Sequence, residues 1–381
     1  MSRCKLFFRF ALLIASLTVS CAIVHAEPGV TASTIIIGQS APFSGPNAQA
    51  GKQYRDGALA YFQKINRAGG VFGRKIQLTS LDDGYEANNT VANTTRLIEE
   101  KGAFALFGYY GSAAIAASVK VFGEAKVPLI AGLSGADGLR KPLNRYLFNV
   151  RASYSDEAEA IVNQLVTTGM MRVAVFYQDD AYGQAGLQAV TAALSRRKLE
   201  VAAAGTVSRN SVDVATAVTS ISKAAPQAVV LVSLYKPAAA FIKEMNRSGT
   251  KATFIGFSPV SADLLFGEIG EAARGVMVAQ VMPNPEQKKT RLSTEYINAM
   301  VESAIDERSY YGIEGYAAAK VLVEGLRRAG KNLTRPQLIS ALESMNDFDL
   351  GGLVVSYSDK EHRGSKFVNV TLIGAKGKMI E

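Results

Sequence analysis

The chain has 381 residues, 48% apolar and 20% charged, with 42 Lys+Arg against 33 Asp+Glu and a net charge of +9. Both cysteines, Cys4 and Cys21, and one of the two histidines fall in the first 26 residues, leaving His362 alone in the remainder. That remainder offers no disulfide, no thiolate metal site, no Ser-His or Cys-His pair and no site needing two His ligands. Its positive residues are scattered, among them Arg96, Lys120, Arg172, Arg196, Arg247 and Arg327, and form no stripe of the kind that marks a nucleic-acid partner.

Arg3, Lys5 and Arg9 precede the apolar run 10–24, which ends in Val24-His25-Ala26. This reads as a secretion leader over 1–26, cleaved at Ala26/Glu27, which directs the remaining 355 residues to the periplasm with a charge of +6. Cys21 leaves lipidation as an alternative, although Thr18 stands where Leu is usual. No other apolar run approaches the ~20 residues of a membrane helix. The length suggests two domains and no need of cofactors for stability.

In chain order, residues 34–38 read as a buried strand followed by a Pro/Gly/Ser loop, 41–46. A helix is expected over 48–68, where Tyr54, Ala58, Tyr61, Phe62 and Ile65 share one face and Gly69-Gly70 ends it. A strand over 75–81 ends in Asp82-Asp83-Gly84, and a helix over 87–101 follows. Residues 103–124 then give strand, small-residue loop and Ala-rich helix, with Tyr110, Gly111 and Ser112 at the junction. Free backbone N–H groups, a hydroxyl and the positive helix end would converge there on one spot that suits a carboxylate. The same residues also fit a plain strand-to-helix turn with Ser112 as N-cap.

Strands over 126–131 and 146–150 close this series, and a second series of the same plan follows. Its strands are expected over 172–177, 200–207, 228–234, 253–257 and 275–281, and its helices over 155–168, 183–197, 214–223 and 237–247. Alternating strands and helices predict an α/β fold of two similar lobes, each a parallel-type sheet flanked by helices. After Pro283-Asn284-Pro285 come helices over 290–301, 313–329 and 335–345 and strands over 352–357 and 367–374. The late helices are expected to complete the first lobe and the last strand the second. Lobe I is then 27–149 plus 283–356, lobe II is 150–282 plus 357–381, and a three-strand hinge crosses near Val150, Met282 and Tyr357. His362, in a polar run, is expected in a solvated loop.

Five segments occur in an order that resembles a known family: Ile37 to Gly45, Asn66 to Ile76, Leu81-Asp82-Asp83, Val127 to Ile130, and Asp179-Asp180-Ala181-Tyr182-Gly183. The chain resembles the type I periplasmic solute-binding proteins of ABC transporters, in the leucine/isoleucine/valine-binding branch. Residues 149–154 and 280–285 are similar to a subgroup whose ligands are often unassigned. The resemblance implies a cleft at the carboxyl ends of the strands, a small carboxylated ligand, most simply an aliphatic amino acid, and an ABC permease in the inner membrane as partner to a monomeric receptor. It places Ser112 and Ser134, with Gly111 and Gly135, at the ligand carboxylate, and Tyr182, Tyr235 and Tyr311 among the aromatics that close over it. Tyr110 and Tyr154 join that aromatic set.

Two departures bear on the ligand. Ser258 stands where amino-acid binders of the family carry a Glu against the ammonium, so another acid serves or the ligand has no ammonium. Asp180, Asp83 and Glu314 are the candidates, each with a plain alternative as a loop or helix cap. Ala50 replaces a ligand-side tyrosine, with Tyr54 and Tyr110 near enough to fill the space. The function expected is capture and delivery of a solute, without catalysis. The alternative from another class is a periplasmic receptor that senses a non-amino carboxylate or amide and feeds a signalling partner.

Overall fold

The computed structural model describes residues 27–381; the expected secretion leader, its expected cleavage site and Cys21 lie outside the described residues. The first lobe is built by β1 (Thr34–Ala41), α1 (Ala48–Arg67), β2 (Lys75–Asp82), α2 (Ala87–Glu99), β3 (Ala105–Phe107), α3 (Ser112–Glu124), β4 (Leu129–Ile130) and β5 (Leu147–Phe148). Its five strands lie in the order β2-β1-β3-β4-β5 and every pair is parallel. Ile35, Ile37, Ala105, Leu106 and Phe107 are fully buried because helices cover both faces of such a sheet.

The second lobe follows with α4 (Tyr154–Thr167), β6 (Val173–Gln178), α5 (Ala181–Ser195), β7 (Val201–Val207), α6 (Ala215–Lys223), β8 (Ala228–Val232), α7 (Tyr235–Arg247), β9 (Thr253–Gly256), α8 (Ala262–Ile269) and β10 (Met277–Gln280). The chain then returns to the first lobe with α9 (Arg291–Glu302), α10 (Tyr310–Ala329) and α11 (Arg335–Glu343). Helix α10 lies on α1 at backbone contact: a Cβ on Gly57 would sit 1.8 Å from the Gly312 carbonyl oxygen, and one on Gly315 1.9 Å from that of Tyr54. Only glycine permits that approach, which seats the start of α10 against the middle of α1.

Five short strands close the chain: β11 (Phe348–Asp349), β12 (Val354–Ser358), β13 (Glu361–Gly364), β14 (Asn369–Ile373) and β15 (Met379–Ile380). The second sheet has the order β15-β14-β10-β9-β8-β6-β7, parallel from β10 to β7 and antiparallel at β14 and β15. Strands β11 to β13 form a separate antiparallel sheet beside the crossing segments.

We propose that the chain passes between lobes after β5, after β10 and after β13. The expected third passage, at Tyr357, falls inside a hairpin, since Ser356 pairs with Gly364 and the Asn149 amide bonds the His362 carbonyl at 3.0 Å. We therefore propose lobe bounds of 27–149 plus 283–364 and 150–282 plus 365–381. That hairpin also corrects the reading of His362, which is buried and stacked on Phe148 with ring centroids 3.8 Å apart. Burial lowers its pKa, and Nδ1 lies 3.2 Å from the Leu147 carbonyl. Helix α8 and strands β11, β13 and β15 were not anticipated; apart from α8, each is only two to four residues long.

Candidate functional site

Strand β3 ends at Phe107, and Gly108 and Gly111 turn the chain at φ 60° and 97° into α3. Gly111, not Ser112, is the N-cap, and no side chain caps the helix, so its first N–H groups have no side-chain acceptor. Ser112 is the first helical residue; its Oγ lies 2.7 Å from Ser134 Oγ, which accepts the Ala136 amide at 3.1 Å. The two expected serines are thus brought together from successive loops of the first lobe. Gly135 packs against Tyr154 so closely that a Cβ would lie 2.3 Å from the ring.

The hinge segment after β5 supplies the largest charge. Arg151 is 2% exposed; its Nη2 donates to Ser258 Oγ at 2.8 Å and lies 3.3 Å from Glu314 Oε2, while Nε is 3.0 Å from Glu314 Oε1. Burial opposes its charge, but Glu314 and Glu157 more than offset that and hold the guanidinium protonated. Two helix starts deliver these groups. A capping box of Ser153 and Asp156 starts α4 and sets Tyr154 and Glu157 three apart on one face. Ser309 caps α10 through the Gly312 amide and sets Tyr311 and Glu314 likewise.

Glu157 accepts the Ser258 amide at 2.7 Å and its hydroxyl at 3.0 Å. Burial pushes its carboxyl up to about 7, against the pull of Arg151 and the Ser258 donors. A second buried guanidinium, Arg140, donates to the carbonyls of Ser134 and Ala136 and, across the hinge, to those of Arg151 and Ala152. It ties the Ser134 loop to the crossing segment, and burial lowers it only to about 10.

Two small cavities, each of about 10 Å³, adjoin at Arg151 and Tyr311. One is walled by Tyr85, Tyr110, Tyr154, Tyr182 and Tyr311 with Leu133, Leu234, Pro259 and Gly111; the other by Ser258, Ser261, Gln280 and Glu314, among others. Both lobes contribute, and hydrogen bonds join them around the rim. Tyr311 donates to the Pro259 carbonyl at 3.2 Å, Gln178 to Tyr85 Oη at 3.1 Å, Tyr235 to the Pro46 carbonyl at 2.6 Å, and Arg209 to the Tyr85 carbonyl at 2.6 Å. The conformation is closed.

Of the expected residues, Tyr110, Gly111, Tyr154, Tyr182 and Tyr311 wall the tyrosine-lined cavity, Ser258 and Glu314 the other, and Ser112, Ser134 and Gly135 border neither. Tyr235 instead reaches across to the loop before α1. Asp180 caps α5 through the amides of Tyr182 and Gly183 and meets Arg209 at 2.5 Å, so it is not placed to meet an ammonium. Asp83 is bonded by Ser40, Thr90 and the Tyr85 amide within the first lobe. Tyr54 does not fill the place of Ala50: its hydroxyl donates to the Ala131 carbonyl at 3.0 Å. Arg151, Glu157, Arg140, Tyr85 and Arg209 were missed. Arg151 was the findable one, within the segment 149–154 already singled out.

The chain matches the family model described as "Periplasmic binding protein" over residues 34–378. It is similar to "Leu/Ile/Val-binding protein homolog 7" of Brucella abortus, 24% identical over 96% of this chain and 95% of that one. Among solved structures it resembles a possible leucine/isoleucine/valine-binding protein from Rhodopirellula baltica, with a TM-score of 0.88 and 29% identity over 93% of this chain and 98% of the other. A substrate-binding periplasmic protein from Ralstonia solanacearum gives 0.86 and 32% over 91% and 99%.

Proposed function

Since the chain belongs to the type I periplasmic binding proteins, in the branch of the leucine/isoleucine/valine-binding proteins, we propose that it is the extracytoplasmic receptor of an ABC importer for a small carboxylated solute. It is a binding protein and not an enzyme. The observation that carries the reading is a closed cavity walled by tyrosines from both lobes, with a helix N-terminus and a buried guanidinium beside it. The names of its relatives favour an aliphatic amino acid as the solute.

In this reading the solute docks on the first lobe at the end of β3, where Gly111 and the start of α3 border the tyrosine-walled cavity. Tyr182 then arrives from the second lobe, and the rim contacts of Tyr235 and Arg209 form only on closure. Solute binds the closed form better and shifts the population towards it. A monomeric permease-facing shuttle needs nothing more, and the leader over 1–26 accounts for its export.

The test is a thermal-shift panel of amino and non-amino carboxylates on the chain from Glu27, followed by small-angle scattering with any that binds. The reading expects at least one carboxylate to raise the melting temperature saturably and to lower the radius of gyration. Absence of any stabilising carboxylate, or binding without compaction, would overturn it.

A further inference from the structure

The tyrosine-walled cavity has one charged group in its wall, the Arg151 guanidinium. Its Nε and Nη2 edge faces Glu314 and Ser258, and among the described residues no acceptor bonds Nη1. Arg140, behind the hinge, adds a second buried positive charge whose hydrogen-bond partners are all carbonyls. The uncapped start of α3 faces the same space at Gly111.

The acids around the cleft are already engaged. Glu314 has both oxygens against Arg151, Asp180 is held by Arg209 and its own helix start, and Asp83 is enclosed in the first lobe. Glu157 gives both oxygens to Ser258 and borders neither cavity. An ammonium entering this space would meet a guanidinium and tyrosine rings without a free carboxylate, at a large desolvation cost. A carboxylate would meet Arg151 Nη1, a charged donor without an acceptor among the described residues.

We propose that the solute is a carboxylic acid without a charged amine, its carboxylate seated on Arg151 and its apolar or aromatic body among Tyr85, Tyr110, Tyr154, Tyr182 and Tyr311. This rests on the receptor reading above and specifies its ligand. Five phenol rings around one cavity suit a flat or branched hydrocarbon body, which they contact by face and edge. Ser258 follows from the same logic. A Glu at that position would bring a further negative charge to the surroundings of Arg151 and Glu157, whereas the serine hydroxyl accepts from Arg151 and donates to Glu157.

The test uses matched pairs by isothermal titration calorimetry on the chain from Glu27: leucine against 4-methylpentanoate, and phenylalanine against 3-phenylpropanoate, with benzoate and 4-hydroxybenzoate alongside. The expected result is that a desamino acid binds at least 30-fold more tightly than its amino partner. Tighter binding of leucine or phenylalanine would overturn this inference and leave the receptor reading intact. No saturable binding by any of the six would overturn both. The double variant Arg151→Gln with Glu314→Gln, which leaves neither buried charge unpaired, is expected to stay folded by circular dichroism and to bind the preferred acid at least 100-fold more weakly. Unchanged affinity in that variant would also overturn the assignment.

Discussion

Replacing Arg209 by alanine removes a contact that exists only while the lobes are closed. Arg209 follows β7 in the second lobe; its Nη1 donates 2.6 Å across the cleft to the Tyr85 carbonyl, and its guanidinium lies 4.5 Å from the Tyr85 ring centroid. On its own lobe Nη2 meets Asp180 at 2.5 Å, which aims it. A hydrogen bond from a charged donor contributes roughly 1.5–3 kcal/mol and a cation–π contact roughly 0.5–1 kcal/mol. The Arg209 side chain keeps 16% of its exposure, so the low ends apply, and the closed state loses about 2 kcal/mol, or roughly 30-fold in the closure equilibrium. Affinity falls by that factor where the open form predominates without solute, mostly through faster release. Stopped-flow displacement of bound solute reads the release rate, and urea unfolding checks that stability moves by no more than about 1 kcal/mol. A release rate within about twofold of the parent would refute the clasp.

Ser112→Ala removes a hydroxyl at the start of α3, next in the chain to the cavity-lining Gly111, and leaves Ser134 its Ala136 amide; titration calorimetry should show binding weaker by ~1–3 kcal/mol with the fold intact, and unchanged affinity would remove Ser112 from the site. Gly135→Ala drives a Cβ to 2.3 Å from the Tyr154 ring, which must swing into the cavity. Solute binding should be lost while near-UV circular dichroism still reports a packed protein, and wild-type affinity would show that the ring yields elsewhere. Glu157 titrates at about 7 in the folded protein against about 4.5 unfolded. The folded state therefore holds the extra proton between those values, and stability falls as pH rises through that window by up to roughly 3 kcal/mol. Urea midpoints at pH 5 and pH 8 should differ in the parent and differ less in Glu157→Gln; the same difference in both would assign the slope to another group.

The alternation of apolar strands and amphipathic helices made the two-lobed plan readable, because strands such as 228–232, buried along their whole length, need helices on both faces. The elements that escaped were the short ones. β13 has a polar sequence, Glu361 to Gly364, and becomes a strand only because β12 and the hinge backbone offer partners. At the site, the residues that could be named as candidates had a local signature: Ser112, Ser134 and Tyr154 follow strand ends, and Tyr311 stands at a helix start. Residues whose role depends on a distant partner had none. Arg151 meets Glu314, named among the candidates, only across 163 positions of chain, and its own sequence neighbours do not show that pairing. Asp180 failed as an amine partner for the same reason, since Arg209, 29 residues on, claims its free oxygen.

The central claim is that the closed cavity holds a small carboxylated solute. Native mass spectrometry of the chain from Glu27, purified from the periplasm of an expressing cell, followed by denaturation and identification of what is released, tests it without choosing a ligand beforehand. The account predicts one small carboxylate per chain, and loss of that adduct in the Arg151→Gln, Glu314→Gln double variant. Release of a neutral or cationic molecule, or an adduct that survives the double variant, would contradict it.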